Sequence, residues 1–192
     1  MCLAGTLPWA RAAFLVPAQI IASMCAGGLA RCMFPGNLAV ANSVLSSDTS
    51  IVRGLFIEMF FTAFLVFVAL MLAAERSKDT YIAPIGIGLA LFVTTLAGKT
   101  PTHLPRSNGS FYIISMLTHY LSGISYTGAS LNPVRSFGCA LATFSFPGYG
   151  WIYWLGPSMG AVVAAGFYRF VKWSHYEEAN LNREATDYLN GD

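Results

Sequence analysis

Residues 126–138 read YTGASLNPVRSFG and place an Asn-Pro pair and one arginine inside an almost uncharged apolar stretch. An arginine at membrane depth is costly in free energy and normally faces a bundle interior or a water-filled cavity, so Arg135 marks a candidate site. Pro133 suits the first position of a helix, because its φ is already helical and its missing N–H is not needed there. Asn132 is then the N-cap, and the positive end of the helix dipole points into the site.

The composition indicates a membrane protein independently of that stretch. Charged residues make up 10% of the chain, apolar residues make up 55%, and the mean hydropathy is +0.56. Soluble domains have about a quarter of their residues charged. A soluble helical protein would need charges on its exposed faces, and this chain does not have them. The net charge of +2 favours neither nucleic acid nor an acidic partner.

Four windows of the sequence are long and apolar enough to cross a bilayer as helices. Residues 12–30, 81–98 and 151–168 contain no charged residue, and residues 54–74 contain only Glu58. Each window is close to the roughly 20 residues that a helix needs to cross the hydrocarbon core. The sequence therefore predicts an all-α membrane protein with four transmembrane helices.

Reactive side chains form no catalytic or metal-binding pattern in this sequence. The four cysteines include no CxxC pair, and they have no metal-ligand spacing with the three histidines. Ser-His-Asp, HExxH and paired-carboxylate arrangements are also absent. We therefore expect no enzyme activity, no metal and no cofactor.

Residues 127–140 resemble the second Asn-Pro-Ala box of the aquaporin, or major intrinsic protein, family, whose pattern is TGAS-NPARSFGPA. This chain has NPV where the family has NPA, and GCA where the family has GPA. The resemblance extends outward, since the four apolar windows are similar to the family's third, fourth, fifth and sixth helices. The chain as a whole is similar to fungal-type water channels of that family.

The resemblance implies an aquaporin-like bundle that is incomplete, with four transmembrane helices plus one re-entrant half-helix. The family's pore is built from two inverted repeats, and two spans and the first Asn-Pro-Ala box would precede Met1. We expect a partial transmembrane domain over residues 1–172 and a polar tail over residues 173–192. Residues 99–123 are interpreted as an insertion. The alternative is an extra span over residues 109–131, which are uncharged; it would reverse the last helix and displace the half-helix of Arg135. A mistaken start codon and a retained intron would together explain the short beginning and the insertion.

The resemblance also implies which residues line the pore. They belong to the pore box and to the selectivity filter: Asn132, Pro133, Val134, Arg135, Thr95 and Ala129. If residues 99–123 are an insertion, Thr95 falls where water-selective members usually carry histidine. Thr95 and Ala129 are smaller than the usual filter residues, so the resemblance implies a wider and less polar filter. Four other residues match the water-channel subgroup: Ser136, Ala140, Tyr153 and Trp154.

Supporting residues are implied in two places. By resemblance, Glu58 holds backbone N–H groups of the loop near the second box, and Gln19 is a second structural support of the same kind. Small residues let membrane helices approach closely, because lipid gives no hydrophobic drive for association. We expect this role for five glycines: Gly27, Gly86, Gly88, Gly156 and Gly160.

The function expected from the resemblance is passive conduction of water along an osmotic gradient. Glycerol or other small neutral solutes are the alternative cargo, because the implied filter is wide. A different alternative is a non-conducting subunit that assembles with full-length channels. The expected surroundings are a lipid membrane, with the plasma membrane preferred, and a homotetramer as in the family.

Overall fold

The computed structural model describes residues 1–34, 42–75, 80–96 and 124–174. The regular elements in these ranges are all helices, which confirms the prediction of an all-helical chain. The predicted insertion at residues 99–123 lies outside the described residues. The predicted tail lies outside them from residue 175 onward.

The first two predicted spans are long helices. Helix α1 runs from Trp9–Met33 and helix α2 from Ile51–Ala69, and a π-helical turn over Leu70–Ala74 prolongs α2. Helix α2 begins after Ser50, whose hydroxyl accepts the backbone N–H of Arg53 at 3.4 Å and caps the helix. Helix α1 has 25 residues, and α2 together with its π-helical turn has 24. Both therefore exceed the roughly 20 residues that a membrane span requires.

The other two predicted spans are helices of different length. Helix α3 covers Ala83–Leu96 and follows a 3₁₀ turn over Thr80–Ile82, so it begins two residues inside its predicted window. The last two residues of that window lie outside the described residues. Helix α6 covers Ile152–Trp173 and carries Pro157 within it. Each of the four apolar windows therefore corresponds to one helix.

Two short helices lie among the described residues between α3 and α6, and neither is long enough to span a membrane. Helix α4 is a single turn over Ile124–Thr127, and helix α5 covers the 11 residues of Pro133–Thr143. At 1.5 Å per residue, α5 is about 16 Å long, which is half of a hydrocarbon core of about 30 Å. We refer to α5 as the half-helix.

Polar side chains lie inside this bundle and large apolar side chains lie on its surface. The fully buried side chains include those of Glu58, Thr94 and Thr127. On the surface, Phe14 is 80% exposed and Phe60 is 64% exposed. Water would hydrate such a surface unfavourably, whereas lipid tails solvate it. The outer faces of the helices therefore fit a hydrocarbon environment.

Helices α2 and α6 pack closely through two glycines of α6. A Cβ atom at Gly156 would lie 2.8 Å from the Cβ of Glu58. A Cβ atom at Gly160 would lie 2.9 Å from the backbone nitrogen of Ala63 and closer still to the carbonyl oxygen of Met59. Since backbone atoms cannot move aside as a flexible side chain can, only glycine fits these two positions.

Helix α1 contacts the half-helix in the same way. A Cβ atom at Gly27 would lie 2.6 Å from the carbonyl oxygen of Gly138, and one at Gly138 would clash with Ser23. Gly88 makes no such close approach within the described residues, because a Cβ atom there would meet no described atom within 4 Å. Gly86 faces the flexible end of Leu72 rather than a helix backbone.

We predict that Gly160→Ala lowers the free energy of unfolding of the purified chain in detergent by about 1 to 3 kcal/mol, because the added methyl group overpacks the contact between α2 and α6. Gly166→Ala on the same helix is the matched control, since its Cβ would meet no described atom within 4 Å. That control should keep or slightly raise the stability, because alanine favours helix. Circular dichroism melts measure both; equal losses in the two variants would contradict the packing argument.

Candidate functional site

The N-terminus of the half-helix is capped as the sequence predicts. The Oδ1 atom of Asn132 accepts the backbone N–H of Val134 at 3.0 Å, and Pro133 occupies the first helical turn. Asn132 is exposed, and its Nδ2 atom makes no hydrogen bond within the described part of the chain. The amide N–H₂ group is therefore available to a ligand while the same side chain caps the helix.

The loop that leads into the half-helix has an unusual backbone. Gly128, Ala129 and Leu131 have φ angles of 75°, 41° and 53°. Alanine and leucine rarely adopt this left-handed region, which costs about 1 to 2 kcal/mol for each such residue. Surrounding contacts must therefore hold the loop in this conformation.

Glu58 supplies those contacts from α2. Its Oε1 atom accepts the hydroxyl of Thr127 at 2.7 Å and the backbone N–H of Ser130 at 2.9 Å. Its Oε2 atom accepts the backbone N–H of Leu131 at 2.8 Å. The Glu58 side chain is 0% exposed, so these three bonds offset the cost of burying the carboxyl group.

Helix α6 holds the same loop from the other side. The hydroxyl of Tyr153 donates to the carbonyl oxygen of Thr127 at 2.8 Å. The Oγ1 atom of Thr127, which donates to Glu58, also accepts the backbone N–H of Ala129 at 3.3 Å. Thr127 thus connects α2, the loop and α6.

Serine hydroxyls connect Arg135 to Asn132. The Nη1 atom of Arg135 donates to Ser43 Oγ at 2.7 Å, and Ser43 Oγ lies 2.5 Å from Ser136 Oγ. Ser136 donates to Ser130 Oγ at 2.5 Å, and Ser130 donates to the carbonyl oxygen of Asn132 at 3.0 Å. The two residues that the sequence singles out are therefore joined by one hydrogen-bonded chain.

Most of the predicted pore residues line one cavity of about 570 Å³, which we call the half-helix cavity. Its walls come from α2, α3, α6 and the loop before α5. The predicted residues among its lining are Thr95, Ala129, Asn132, Pro133 and Arg135. Asn132 and Arg135 are exposed in this chain, so the cavity is open on their side.

Thr95 offers the half-helix cavity a hydrogen-bond acceptor but no donor. Its hydroxyl donates to the carbonyl oxygen of Leu91, one helical turn back, at 2.7 Å. The proton is therefore used within α3, and the oxygen remains available only as an acceptor. Leu65 and Val66 of α2 line the same cavity and add apolar surface.

Two predicted residues lie away from this arrangement. Val134 is not among the residues that line the cavity; its carbonyl oxygen accepts the hydroxyl of Ser23 from α1 at 2.6 Å. Gln19 is exposed on α1, and its side chain makes no hydrogen bond to the residues described. The structure therefore does not bring Gln19 to the loop that Glu58 holds.

Arg31 and Ser43 were missed in the sequence analysis. Arg31 of α1 donates from Nη1 to the carbonyl oxygen of Ala142 at 2.5 Å, and its guanidinium lies 5.2 Å from the ring centre of Phe144. It therefore lies at the C-terminal end of the half-helix, where a cation is favourable. Neither residue stands within a recognisable motif; only the lone charge of Arg31 beside an apolar window could have indicated it.

We predict that Glu58→Gln lowers the free energy of unfolding of the purified chain by about 1 to 3 kcal/mol. The NH₂ group of the amide cannot accept a hydrogen bond, so at least one of the three groups that donate to Glu58 is left unsatisfied. Thr127→Ser keeps the O–H donor to Glu58 and should lose less stability. Thermal melts in detergent compare the two variants. A Glu58→Gln protein as stable as the parent would mean that the loop does not depend on this carboxyl group.

The chain is similar in sequence to proteins of one known family. A model of the family described as major intrinsic protein matches residues 1–105 and 106–168. Over 185 residues the chain is 54% identical to "Probable aquaporin-3" of Gibberella zeae, covering 96% of this chain and 56% of that protein. It is 44% identical to "Aquaporin-7" of Botryotinia fuckeliana, with coverage of 96% and 35%, and 43% identical to "Aquaporin-2" of the same organism, with coverage of 94% and 41%.

The chain spans between 35% and 56% of the length of these curated relatives. The matched residues include α1, α2, α3, the half-helix with its cap, and α6 as far as Tyr168. The resemblance predicted from residues 127–140 is therefore confirmed. The chain belongs to the major intrinsic protein family and is an integral membrane protein.

Proposed function

We propose that the chain forms the wall and filter of a passive channel for water. The observation that carries the proposal is the half-helix cavity, because Arg135, Asn132 and Thr95 all line it. The names of the fungal relatives, which are called aquaporins, support the same function. Conduction along an osmotic gradient needs no chemical step, no cofactor and no enzyme activity.

The cavity residues act on water through hydrogen bonds and charge. The free N–H₂ group of Asn132 donates to the oxygen of a passing water molecule, which orients that molecule. The positive end of the half-helix and the guanidinium of Arg135 both disfavour a cation or proton at the same place. Water, which is neutral and hydrogen-bonds readily, meets no comparable electrostatic barrier.

Small neutral solutes such as glycerol are the second candidate cargo. Ala129 and Thr95 leave room in the filter, and the Thr95 hydroxyl proton is already bonded to Leu91. The cavity thus offers apolar surface to the carbon chain of a polyol beside the donors of Asn132 and Arg135. These features support a filter wider than a strict water filter.

The open side of the half-helix cavity supports a second candidate function, that of a subunit that assembles with full-length channels. Asn132 and Arg135 are exposed, and a closed lumen needs a wall that faces them. In this proposal the chain docks beside full-length members in a tetramer, in the plasma membrane. Co-purification with a full-length family member distinguishes this function from conduction by the chain itself.

The conduction proposal is tested in lipid vesicles by stopped-flow light scattering. The test protein fuses the upstream part of a full-length family member to Met1 and omits residues 99–123, which we propose are an insertion. We expect water permeability well above that of empty vesicles. The 192-residue chain alone should give the permeability of empty vesicles, because Arg135 is exposed and no wall within the described residues faces it. A fusion protein that inserts and folds but does not conduct would contradict the proposal.

In that fusion protein, we predict that Arg135→Ala raises cation leakage at least about tenfold while water still passes, because a unit charge at close range in a partly desolvated site contributes more than 1.4 kcal/mol. Arg53→Ala is the matched control, since Arg53 lines a separate groove on α2. Vesicle potassium flux measures both variants. Equal leakage in both would remove Arg135 from the filter.

We also predict that Thr95→His lowers glycerol permeability several-fold relative to water permeability, because the larger ring narrows the cavity opposite Arg135. Thr95→Val is the control for size, and it should keep the parent ratio because the Thr95 hydroxyl proton is already bonded within α3. Glycerol and water uptake are measured side by side. An unchanged ratio in the Thr95→His protein would place Thr95 outside the filter.

A further inference from the structure

We propose that Ser43, in the segment before α2, is a positioning residue that fixes the guanidinium of Arg135 and couples it to Asn132. The proposal rests on the proposed function for its consequence, because Arg135 is the filter cation there. The hydrogen bond between Ser43 and Arg135 is observed in the structure and does not depend on the proposed function. Ser43 is 2% exposed, and its Oγ atom accepts a hydrogen bond from Arg135 Nη1 at 2.7 Å.

The direction of the hydrogen bonds follows from the cation. Arg135 can only donate, so the Ser43 oxygen accepts from it and the Ser43 proton is free to point onward. Ser136 donates to Ser130, so its oxygen is the acceptor for the Ser43 proton at 2.5 Å. Ser130 then donates to the carbonyl oxygen of Asn132. We call Ser43, Ser136 and Ser130 the hydroxyl relay.

All donors of the hydroxyl relay therefore point the same way, from the cation to a backbone carbonyl. Hydrogen bonds in such a chain polarise one another, and a charged first donor strengthens the effect. The carbonyl oxygen of Asn132 also accepts the backbone N–H of Ser136 at 3.2 Å, so the end of the relay is part of the half-helix. The orientation of Arg135 is thus tied to the residue that caps α5.

The backbone around Ser43 is anchored on both sides, which makes Ser43 a fixed support. The side chain of Asn42 donates to the carbonyl oxygen of Ser145 at 3.3 Å. The backbone N–H of Leu45 donates to the Tyr149 hydroxyl at 3.2 Å, and that of Ser46 donates to the carbonyl oxygen of Tyr126 at 2.9 Å. A guanidinium bonded to this segment therefore has one preferred position.

The segment also lies against the loop that forms the cavity wall. A Cβ atom at Gly128 would lie 3.1 Å from the Cα atom of Ser43 and 3.2 Å from the backbone nitrogen of Val44. Ser43 therefore contacts the loop before the half-helix as well as Arg135. If the hydroxyl is removed, Arg135 keeps its charge but loses the bond that holds it at one side of the cavity.

The reactivity of Arg135 towards phenylglyoxal tests this proposal in the purified 192-residue chain, without any need for conduction. Peptide mass spectrometry measures the modification rate of Arg135 relative to that of Arg53. We expect Ser43→Ala to raise this ratio about tenfold, because a hydrogen bond to a charged group is lost. Ser43→Thr restores the hydroxyl and should return the ratio to the parent value. An unchanged ratio in the Ser43→Ala protein would overturn the proposal.

Two further measurements separate positioning from general loosening of the fold. Arg31 bonds to Ala142 and not to the hydroxyl relay, so its modification rate should not change in Ser43→Ala. A parallel rise at Arg31 would overturn the proposal, because it would indicate a packing role. Ser136→Ala keeps the Ser43 oxygen that accepts from Arg135, but it removes the oxygen that accepts the Ser43 proton. The modification rate of Arg135 relative to Arg53 should then rise to an intermediate value. An unchanged relative modification rate of Arg135 in Ser136→Ala would overturn the proposed coupling through the hydroxyl relay.

The fusion protein with the upstream repeat adds a functional readout. There we expect Ser43→Ala to raise cation leakage relative to water flux, and Ser43→Thr to restore exclusion. If the fusion protein does not conduct, the proposed function fails while the phenylglyoxal result still decides the role of Ser43. If it conducts and Ser43→Ala excludes cations as the parent does, the positioning role is overturned.

Discussion

The buried carboxyl group of Glu58 is the interaction on which the rest of the site depends. It accepts two backbone N–H groups and one hydroxyl from a loop whose Ala129 and Leu131 have positive φ angles. Without these bonds the backbone N–H groups of Ser130 and Leu131 would lose the acceptor that Glu58 provides, and the loop would relax to a commoner backbone conformation. Since the loop leads directly into Pro133, the direction of the half-helix and the position of Arg135 follow from it.

Close helix packing allows a carboxyl group to occupy that place. Gly156 of α6 lies against the Cβ atom of Glu58, so a larger residue there would push α2 and α6 apart. The same approach brings the Tyr153 hydroxyl to the carbonyl oxygen of Thr127. Small residues thus do more than improve van der Waals contact between helices. They bring polar groups of α2, α6 and the loop within hydrogen-bond distance in the buried interior.

Local signals in the sequence were enough to predict the helices and the cap, whereas contacts between distant residues were not. Apolar windows identified four helices, and Asn132-Pro133 identified the start of α5. The partner of Arg135 could not be predicted, because Ser43 lies 92 residues away and serine carries neither charge nor a hydropathy signal. Gln19 and Gly88 illustrate the opposite case. Their residue types fit a role, but their orientation on the helix does not bring them to a described partner.

The half-helix needs support at both ends, because an isolated helix of 11 residues is only marginally stable. Asn132 satisfies an N–H at its first turn, Ser23 bonds to the Val134 carbonyl, and Arg31 bonds to a carbonyl of its last turn. The cation at the C-terminal end also offsets the negative pole of the helix dipole. The positive pole at the other end remains directed at the half-helix cavity beside Arg135. The arrangement that stabilises this short helix therefore also places positive potential at the half-helix cavity, which is the path of permeating molecules in the proposed channel.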